Sequence, residues 1–511
     1  MYLTTDGSLR DGIVAHIQSL YDSRDISLWL TTGERYMCYW AEADMILWLS
    51  STWLLRSRLR VRTNDDVFRE VESRLVHFLE TKLEYGFYQF FSPTKSQGTL
   101  AALLNLYDFA PESRIRSLAG QVVARMLSEL LLFPNEQGYF FPVTASGEVE
   151  DYTSPRFSSI MWFLTDKDPI PVEPDFVGSF LATTAFDLEE IGETWESSLS
   201  VKMTVGHPVT DLKEIHADQS SRDRILFQWS AGAYVYPEVV SDTLDMIDAY
   251  KLEDHVFWDG YKFLFSSAFR FNLHEISEMF FGFTKGSDLS GANVSVYRDG
   301  DVVLSSLERY NVQYRSRQQW VWMATVGDVA VWTQSGVVDG DFEENHNDAV
   351  NTHMPMVQQE DHVALITYRP AKDLRENPLL RIFLPNGETQ VALYFPLDRF
   401  DQVEESGHWL MGRNGDNYIA VWRHKTSKTS CAGRPNSCRE YFYSDPQEGL
   451  QGQSWAVVVG NSDTHGDFDD FQDIVTAGTV SEHSSGILSW LFGWGYRTEL
   501  SVDGKTITSE L

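Results

Sequence analysis

The chain has 511 residues, with 41 Lys plus Arg against 74 Asp plus Glu and a formal net charge of −33. At about 150 residues per domain it holds two to four domains, and 43% hydrophobic with 14% aromatic residues excludes a disordered or low-complexity chain. The charge excludes a general nucleic-acid binder, which needs a basic face, yet a local basic cleft on an acidic protein can still hold a polyanionic sugar.

The opening segment, MYLTTDGSLRDG, lacks the basic and then apolar order of a secretory signal. The most apolar stretch, Met45 to Leu55, is broken by Ser50, Ser51 and Thr52 and falls short of the ~20 residues of a membrane span. It reads instead as a buried helix, with Cys38, Ala41, Met45, Trp48, Leu49 and Thr52 on one face. Helical patterns follow over Asp66 to Leu83, Gly98 to Phe109 and Glu112 to Phe133, punctuated by Gly86, Pro93, Pro111 and Pro134. Short links between amphipathic helices favour a stacked or circular array of helix pairs. Val143 to Pro174 reads as a long irregular excursion, and helical patterning resumes from Asp175 through Phe281.

The character changes near residues 283 to 291. VSVYRDGDVVLSS is a pair of alternating runs joined by Asp-Gly, and WVWMATVGDVAVWTQSG repeats the design with Gly-Asp at the turn. VALITYRP, VALYFP, NYIAVWRH and SWAVVVGN follow, predicting an antiparallel β-sandwich over 286–511 after a helical domain over 1–285. Cys431 and Cys438 flank a Gly-Arg-Pro-Asn turn and are either a loop disulfide, which requires an oxidising compartment, or free thiols. Asn293-Val-Ser is a glycosylation acceptor if the chain is secreted. No P-loop, GxGxxG, GxSxG, CxxC or HExxH occurs, which argues against phosphoryl transfer, dinucleotide chemistry and a short-spaced zinc centre.

The candidate functional residues lie in four stretches. FQWSAGAYVYPEV offers Gln228, Trp229, Tyr234 and Tyr236, with the tyrosines in a Gly-relaxed segment. VGHPVTDLKEIHADQSSRDR reads as a polar loop carrying His207, His216, Asp218, Asp223 and Arg224. LERYNVQYRSRQQW interleaves Arg309, Arg315 and Arg317 with Tyr310 and Tyr314, a pattern suited to gripping carboxylate or sulfate while stacking a sugar ring. FEENHNDAVNTHMP packs Glu343, Glu344, Asn345, His346, Asn347, Asp348, Asn351 and His353 into one loop, donors enough for a calcium ion or for part of a cleft. Each stretch has an ordinary structural alternative: core tyrosines, solvated histidines, a charged strand edge and a plain polar loop. The basic segment from Arg423 to Arg439 reads as a solvated loop, and most of Trp40, Trp48, Trp53, Trp229, Trp320, Trp322 and Trp332 as core.

A helical half followed by a sandwich, with the phrases YWAEADMILWLSSTWLL, YGFYQFFSP, FQWSAGAYVYPEVV, LSSLERY and NTHMPMVQQEDHVALITYRP, resembles the polysaccharide lyases built on an (α/α)-toroid, of the heparinase, chondroitin-lyase and alginate-lyase type. The resemblance implies β-elimination on an acidic, uronate-containing polysaccharide or oligosaccharide by a secreted protein, with no cofactor required. In such lyases a neutral amide, often with a His, neutralises the uronate carboxylate so that a Tyr or His can remove the C5 proton and a Tyr can protonate the leaving oxygen. Carried onto this chain, it gives Tyr234, His216, Tyr310 and His353 catalytic roles, and makes Arg315, Arg317, Gln228, Trp229, Asn345 and Asn351 substrate-binding. The chain departs from the type where an early helix carries Asn-His: here stand Glu42, Ala43 and Asp44. That departure keeps two alternatives open, a catalytically silent glycan-binding relative and a glycoside hydrolase on an α-toroid. Glu42 and Asp44, two apart on a helix, point to different faces and make a poor acid/base pair by themselves.

Overall fold

The computed structural model describes residues 11–16, 19, 40–59, 65–89, 91–139, 158–166, 176–206, 212–234, 238–255, 258, 291–308, 316–317, 321–337, 350–351, 354–368, 389–423, 441–443, 454–484 and 496–510. Over these the protein is mixed α and β. Four long helices come first: α1 (Glu42–Leu59), α2 (Asp65–Tyr85), α3 (Pro93–Phe109) and α4 (Ser113–Leu130). Helix α1 packs on α2 and α3, and α4 packs on the same two, so the four close on one another. The expected face of α1 is buried at Ala41, Met45, Leu49 and Thr52, while Trp48 is half-buried and Cys38 lies outside the described residues. Ser92 caps α3 by accepting from the Lys95 amide, and Pro93 supplies a first residue that needs no amide partner. Gly86, at φ +77, turns the chain out of α2, and the Arg125 guanidinium fills the space beside it, where a Cβ would come within 3.1 Å. Beyond this four-helix packing the described residues do not delineate a toroid.

Two sequence expectations are corrected here. Helix α5 (Ser158–Thr165) lies inside the stretch read as irregular, and β1 (Ser198–Gly206) lies inside the stretch read as helical. Leu199, Val201, Met203 and Val205 alternate at strand period, a signal outweighed in the reading by its helical surroundings. Short helical turns at Gly178–Leu181, Leu188–Gly192 and Leu212–Ile215 accompany α6 (Ser221–Ser230) and α7 (Val240–Tyr250).

Strand β1 forms the edge of a seven-stranded antiparallel sheet. Next come β2 (Gly291–Asp299) and β3 (Val302–Glu308), then β5 (Trp322–Val326), β6 (Val329–Val337), β10 (Thr389–Tyr394) and β14 (Tyr441–Tyr443). The two turns expected from Asp-Gly and Gly-Asp are present, with Gly300 and Gly327 at φ +59 and +58. A second sheet runs β11 (Gln402–Ser406), β12 (Trp409–Asn414), β13 (Asn417–Trp422), β15 (Ser454–Asn461), β9 (Val363–Thr367), β8 (Met356–Glu360). It packs on the first through Ile366, Leu410, Ile419, Val421, Val457 and Val459, which share one core with Val296, Leu304 and Val331.

The other face of the second sheet is also covered. Tyr418, Ala420, Trp422, Ala456 and Val458 meet Phe468, Phe471 and Val475 of a helix, α9 (Phe468–Thr476), and Leu500, Val502 and Ile507 of a three-stranded sheet. That sheet is β16 (Thr479–Ser484), β17 (Tyr496–Val502), β18 (Lys505–Glu510). Burial on both faces is why SWAVVVGN is a continuous apolar run: every residue of β15 is buried. A one-turn helix, α8 (Ser462–His465), links β15 to α9.

The helices and the sandwich meet where residues 131–139 lie against the β2–β3 turn. Arg298, fully buried in β2, donates through Nη1 to the carbonyls of Leu131 (2.9 Å), Leu132 (3.2 Å) and Pro134 (3.0 Å), with its guanidinium 4.6 Å from the Trp195 ring centroid. Buried Asn135 donates to the Gly327 carbonyl at 2.7 Å, and the Gln137 amide donates to Asp301 at 2.9 Å. Arg298→Ala should lower the unfolding free energy by roughly 3 kcal/mol, because three carbonyls lose a charged donor. Arg298→Lys should recover part of this, since an ammonium reaches a carbonyl without restoring the planar stacking. Urea denaturation of the three proteins measures both.

Candidate functional site

The segment after α2, YGFYQFF, is held by a buried charge pair. Glu42 and Lys82 are each 1% exposed and in direct contact, and Glu42 also accepts from the amides of Tyr88 (3.2 Å) and Gln89 (3.0 Å). Burial, opposed by Lys82, raises the Glu42 pKa, and burial lowers that of Lys82. Glu42 therefore faces the core and anchors a loop, whereas Asp44 is half-buried and lies 3.5 Å from Lys95. The two do point apart, and both Glu42 oxygens are engaged, Oε1 by Lys82 and the Tyr88 amide and Oε2 by the Gln89 amide. A small cavity beside Glu42, Gln89, Ser96, Thr99 and Glu129 has room for about one water molecule, far too little for a sugar.

Glu42 fixes Tyr88 through its backbone amide, and the Tyr88 phenol lies near that of Tyr234. Burial and the Glu42 carboxylate push the Tyr88 pKa upward, so this phenol stays protonated. Tyr234 is 6% exposed and sits edge-on to Trp258 at 5.9 Å within a cluster that includes Trp40, Trp229 and His255. Its carbonyl accepts from Thr243, whose hydroxyl also receives the Trp229 indole N–H at 2.9 Å. Gln228 and Trp229 are fully buried, and among the described residues neither amide atom of Gln228 has a hydrogen-bond partner.

His216 is not a solvated loop residue. It is 1% exposed, its Nδ1 is 2.8 Å from His77 Nε2, and its ring stacks on Phe227. Burial, and then the proximity of His77, pushes its pKa down to about 2, and burial also lowers that of His77. With both imidazoles neutral, one donates its N–H to the bare nitrogen of the other. The segment around it is partly helical, with Asp223 bonded to Arg74 at 2.9 Å and Arg224 3.6 Å from Asp242.

Tyr310, Arg315, Asn345 and His353 lie outside the described residues, as do His207, Tyr236, the calcium-suited loop Glu343 to Asp348, and Cys431 and Cys438. Arg317 and Asn351 are described as backbone. They belong to β4 (Ser316–Arg317) and β7 (Val350–Asn351), which pair antiparallel with Ser316 opposite Asn351 and Arg317 opposite Val350. The basic, tyrosine-bearing stretch and the Asn/His-rich stretch, separated in sequence, are thus brought together. Arg423 is a further correction: it is buried, bonded to Glu405 at 2.9 Å and stacked 4.7 Å from the Phe442 centroid. Among the tryptophans, Trp40, Trp53, Trp229, Trp322 and Trp332 are fully buried.

A groove of about 430 Å³ opens on the sandwich beside Lys202, Glu308, Gln359, Glu360 and Thr506. Its lining cation, Lys202, is already bonded to Glu308 at 2.6 Å, which makes the groove a poor seat for a polyanion. One group among the described residues has the donors for a metal ion, His362, His465 and Asp503, and it lies in the sandwich, apart from Tyr88 and Tyr234. Sequence reasoning missed His77, Lys82 and Tyr88, whose partners are brought to them only by helix packing. No described helix is long and apolar enough to cross a membrane.

No family model and no curated protein matches the chain. Solved structures that it is similar to include a crystal structure of heparinase III, at 10% identity and a TM-score of 0.27, covering 100% of this chain and 80% of that one. A heparan sulfate lyase HepC mutant from Pedobacter heparinus aligns at 10% identity and a TM-score of 0.24, over 100% of this chain and 84% of that one. Likeness this slight carries no argument about fold or activity.

Two outcomes follow from the buried groups. Lys82→Met, which strands Glu42, should cost about 3–5 kcal/mol, and adding Glu42→Gln should recover part of it. The unfolding free energies of the three proteins give the comparison. Because the unfolded chain binds protons at His216 and His77 near pH 6.5 while the folded chain resists them, stability is full above that pH and falls as pH drops below it. The slope approaches about 1.4 kcal/mol per pH unit for His216, and His77 adds in the same direction. A His77→Phe/His216→Phe double variant should flatten denaturation midpoints measured between about pH 6.5 and 4.

Proposed function

We propose that the protein is a secreted polysaccharide lyase of the (α/α)-toroid type that cleaves a uronate-containing polymer by β-elimination. The observation that carries the reading is the pairing of β4 with β7, because it joins the Arg/Tyr stretch to the Asn/His stretch. One segment has the chemistry to grip a carboxylate or sulfate, and the other the amides and imidazoles to neutralise and deprotonate a uronate. In this reading Arg315 and Arg317 bind the polymer's anionic groups, Asn345 or Asn351 bonds the carboxylate at the cleaved residue, and His353 or Tyr310 takes the C5 proton.

Tyr234 is assigned the leaving oxygen. Its neighbour Tyr88 is a phenol that burial and the Glu42 carboxylate keep protonated. The burial of Tyr234, Gln228, Trp229 and His216 requires that the aromatic cluster open if these residues are to meet a sugar. The hydrolase reading loses its sequence candidates, since Glu42 is bound to Lys82 and two amides.

Purified protein incubated with a panel of uronate polymers should generate the ultraviolet absorbance of unsaturated product ends. Tyr234→Phe should lower kcat by about 100-fold or more with KM little changed, as expected for a proton moved only in the transition state. Arg315→Ala should raise KM, and its effect should shrink as salt is added. Reducing ends without that absorbance would replace elimination by hydrolysis, and binding with neither product would leave a glycan-binding relative.

A further inference from the structure

Three side chains from distant parts of the chain converge at one end of the second sheet. His362 lies in the two-residue turn joining β8 to β9, His465 ends α8, and Asp503 lies in the turn joining β17 to β18. His362 Nε2 is 2.6 Å from Asp503 Oδ2, and His465 Nε2 is 3.3 Å from the same oxygen. One ligand atom from each of the three lies within 4.8 Å of the others.

The surroundings fix these groups before any ligand arrives. His465 is 7% exposed, and its other ring nitrogen, Nδ1, is 2.8 Å from Thr464 Oγ1, which leaves Nε2 aimed at Asp503. Asn461 closes a capping box around α8 and ties it to β2 by donating to Asp299 Oδ2 at 2.9 Å. Gly460 in β15 makes room for the ring, since a Cβ there would stand 2.4 Å from His465 Nδ1. Asp503 itself adopts φ +48, a left-handed conformation that its short side chain tolerates, and Asp361, before His362, adopts φ +50.

Two imidazole nitrogens and a carboxylate oxygen, with an outer hydrogen bond orienting one imidazole, are the donor set of a divalent d-block cation, zinc first among them. We propose that His362, His465 and Asp503 bind one such ion through the two Nε2 atoms and a carboxylate oxygen, with water completing the shell. The ion clips the β8–β9 turn, the end of α8 and the β17–β18 hairpin together, and binding only the folded state raises stability. The site stands independently of the lyase reading, whose proton transfers use other residues.

The test uses the full chain, stripped with a chelator and titrated with zinc chloride by calorimetry while thermal unfolding is followed. One equivalent should bind and raise Tm. His362→Ala and Asp503→Asn should each weaken binding by at least about 100-fold, while His408→Ala leaves it unchanged. Circular dichroism of the metal-free variants establishes that they are folded. Cobalt(II) added to the unaltered chain should give the visible absorption of a low-coordinate nitrogen and oxygen site, a readout that needs no variant. Absence of saturable zinc binding and of that absorption, or binding indifferent to both substitutions in folded proteins, would overturn the proposal and leave a hydrogen-bonded His–Asp–His trio.

Discussion

The helical and β-rich parts are held in register by one guanidinium. Arg298 sits inside a strand, yet its Nη1 donates to carbonyls at the cap of α4 and the turn beyond it. Those carbonyls belong to the cap of α4 and the turn that follows it, so the arginine locates the end of the helix against the sheet. Asn135 and Gln137 repeat the logic on the neighbouring turn with backbone carbonyls and Asp301. Interlocking of this kind makes the position of α4, and through it of α2 and α3, a consequence of the sheet's geometry.

Inside the helices the same economy governs charge. Glu42 occupies the place where the resemblance to toroid lyases led one to expect a neutral amide, and its own surroundings explain its role. Its carboxylate has Lys82 on one side and two loop amides on the other, so it shapes the 86–92 segment and hence the position of Tyr88. A carboxylate used as a loop anchor cannot be read as one facing substrate, and its presence neither attracts nor repels a sugar. The neutral pair of His77 and His216 is a second polar feature that packing has turned inward.

Much of this was legible in the residues. The face of α1, the turns at Gly300 and Gly327 and the alternating strands followed from spacing, because local sterics and one-sided burial set those periods. Strand β1 was missed although Leu199, Val201, Met203 and Val205 alternate, since its partner lies about ninety residues downstream and nothing local announces the pairing. Arg423 and His216 looked solvated because their sequence neighbours are polar, and only tertiary packing buries them. The candidate site was legible as types of residue and not as a constellation. What joined two of its stretches was the β4–β7 pairing, and what separated Glu42 from the chemistry was Lys82, almost two helices away. His362, His465 and Asp503 had no spacing to betray them.

The double-sided burial of β15 bears on how the protein is made. As the chain leaves the ribosome, Ser454–Asn461 can pair with β9 and β13 and rest one face on the first sheet. Its other face, with Ala456 and Val458, has no cover until Leu500, Val502 and Ile507 have been synthesised and folded back. Until then a nascent sandwich carries an uncovered apolar sheet, the kind of surface that recruits chaperones or other unfinished chains. A premature stop anywhere after residue 461 and before residue 496 would therefore yield a protein with both of its main sheets present and a marked tendency to aggregate.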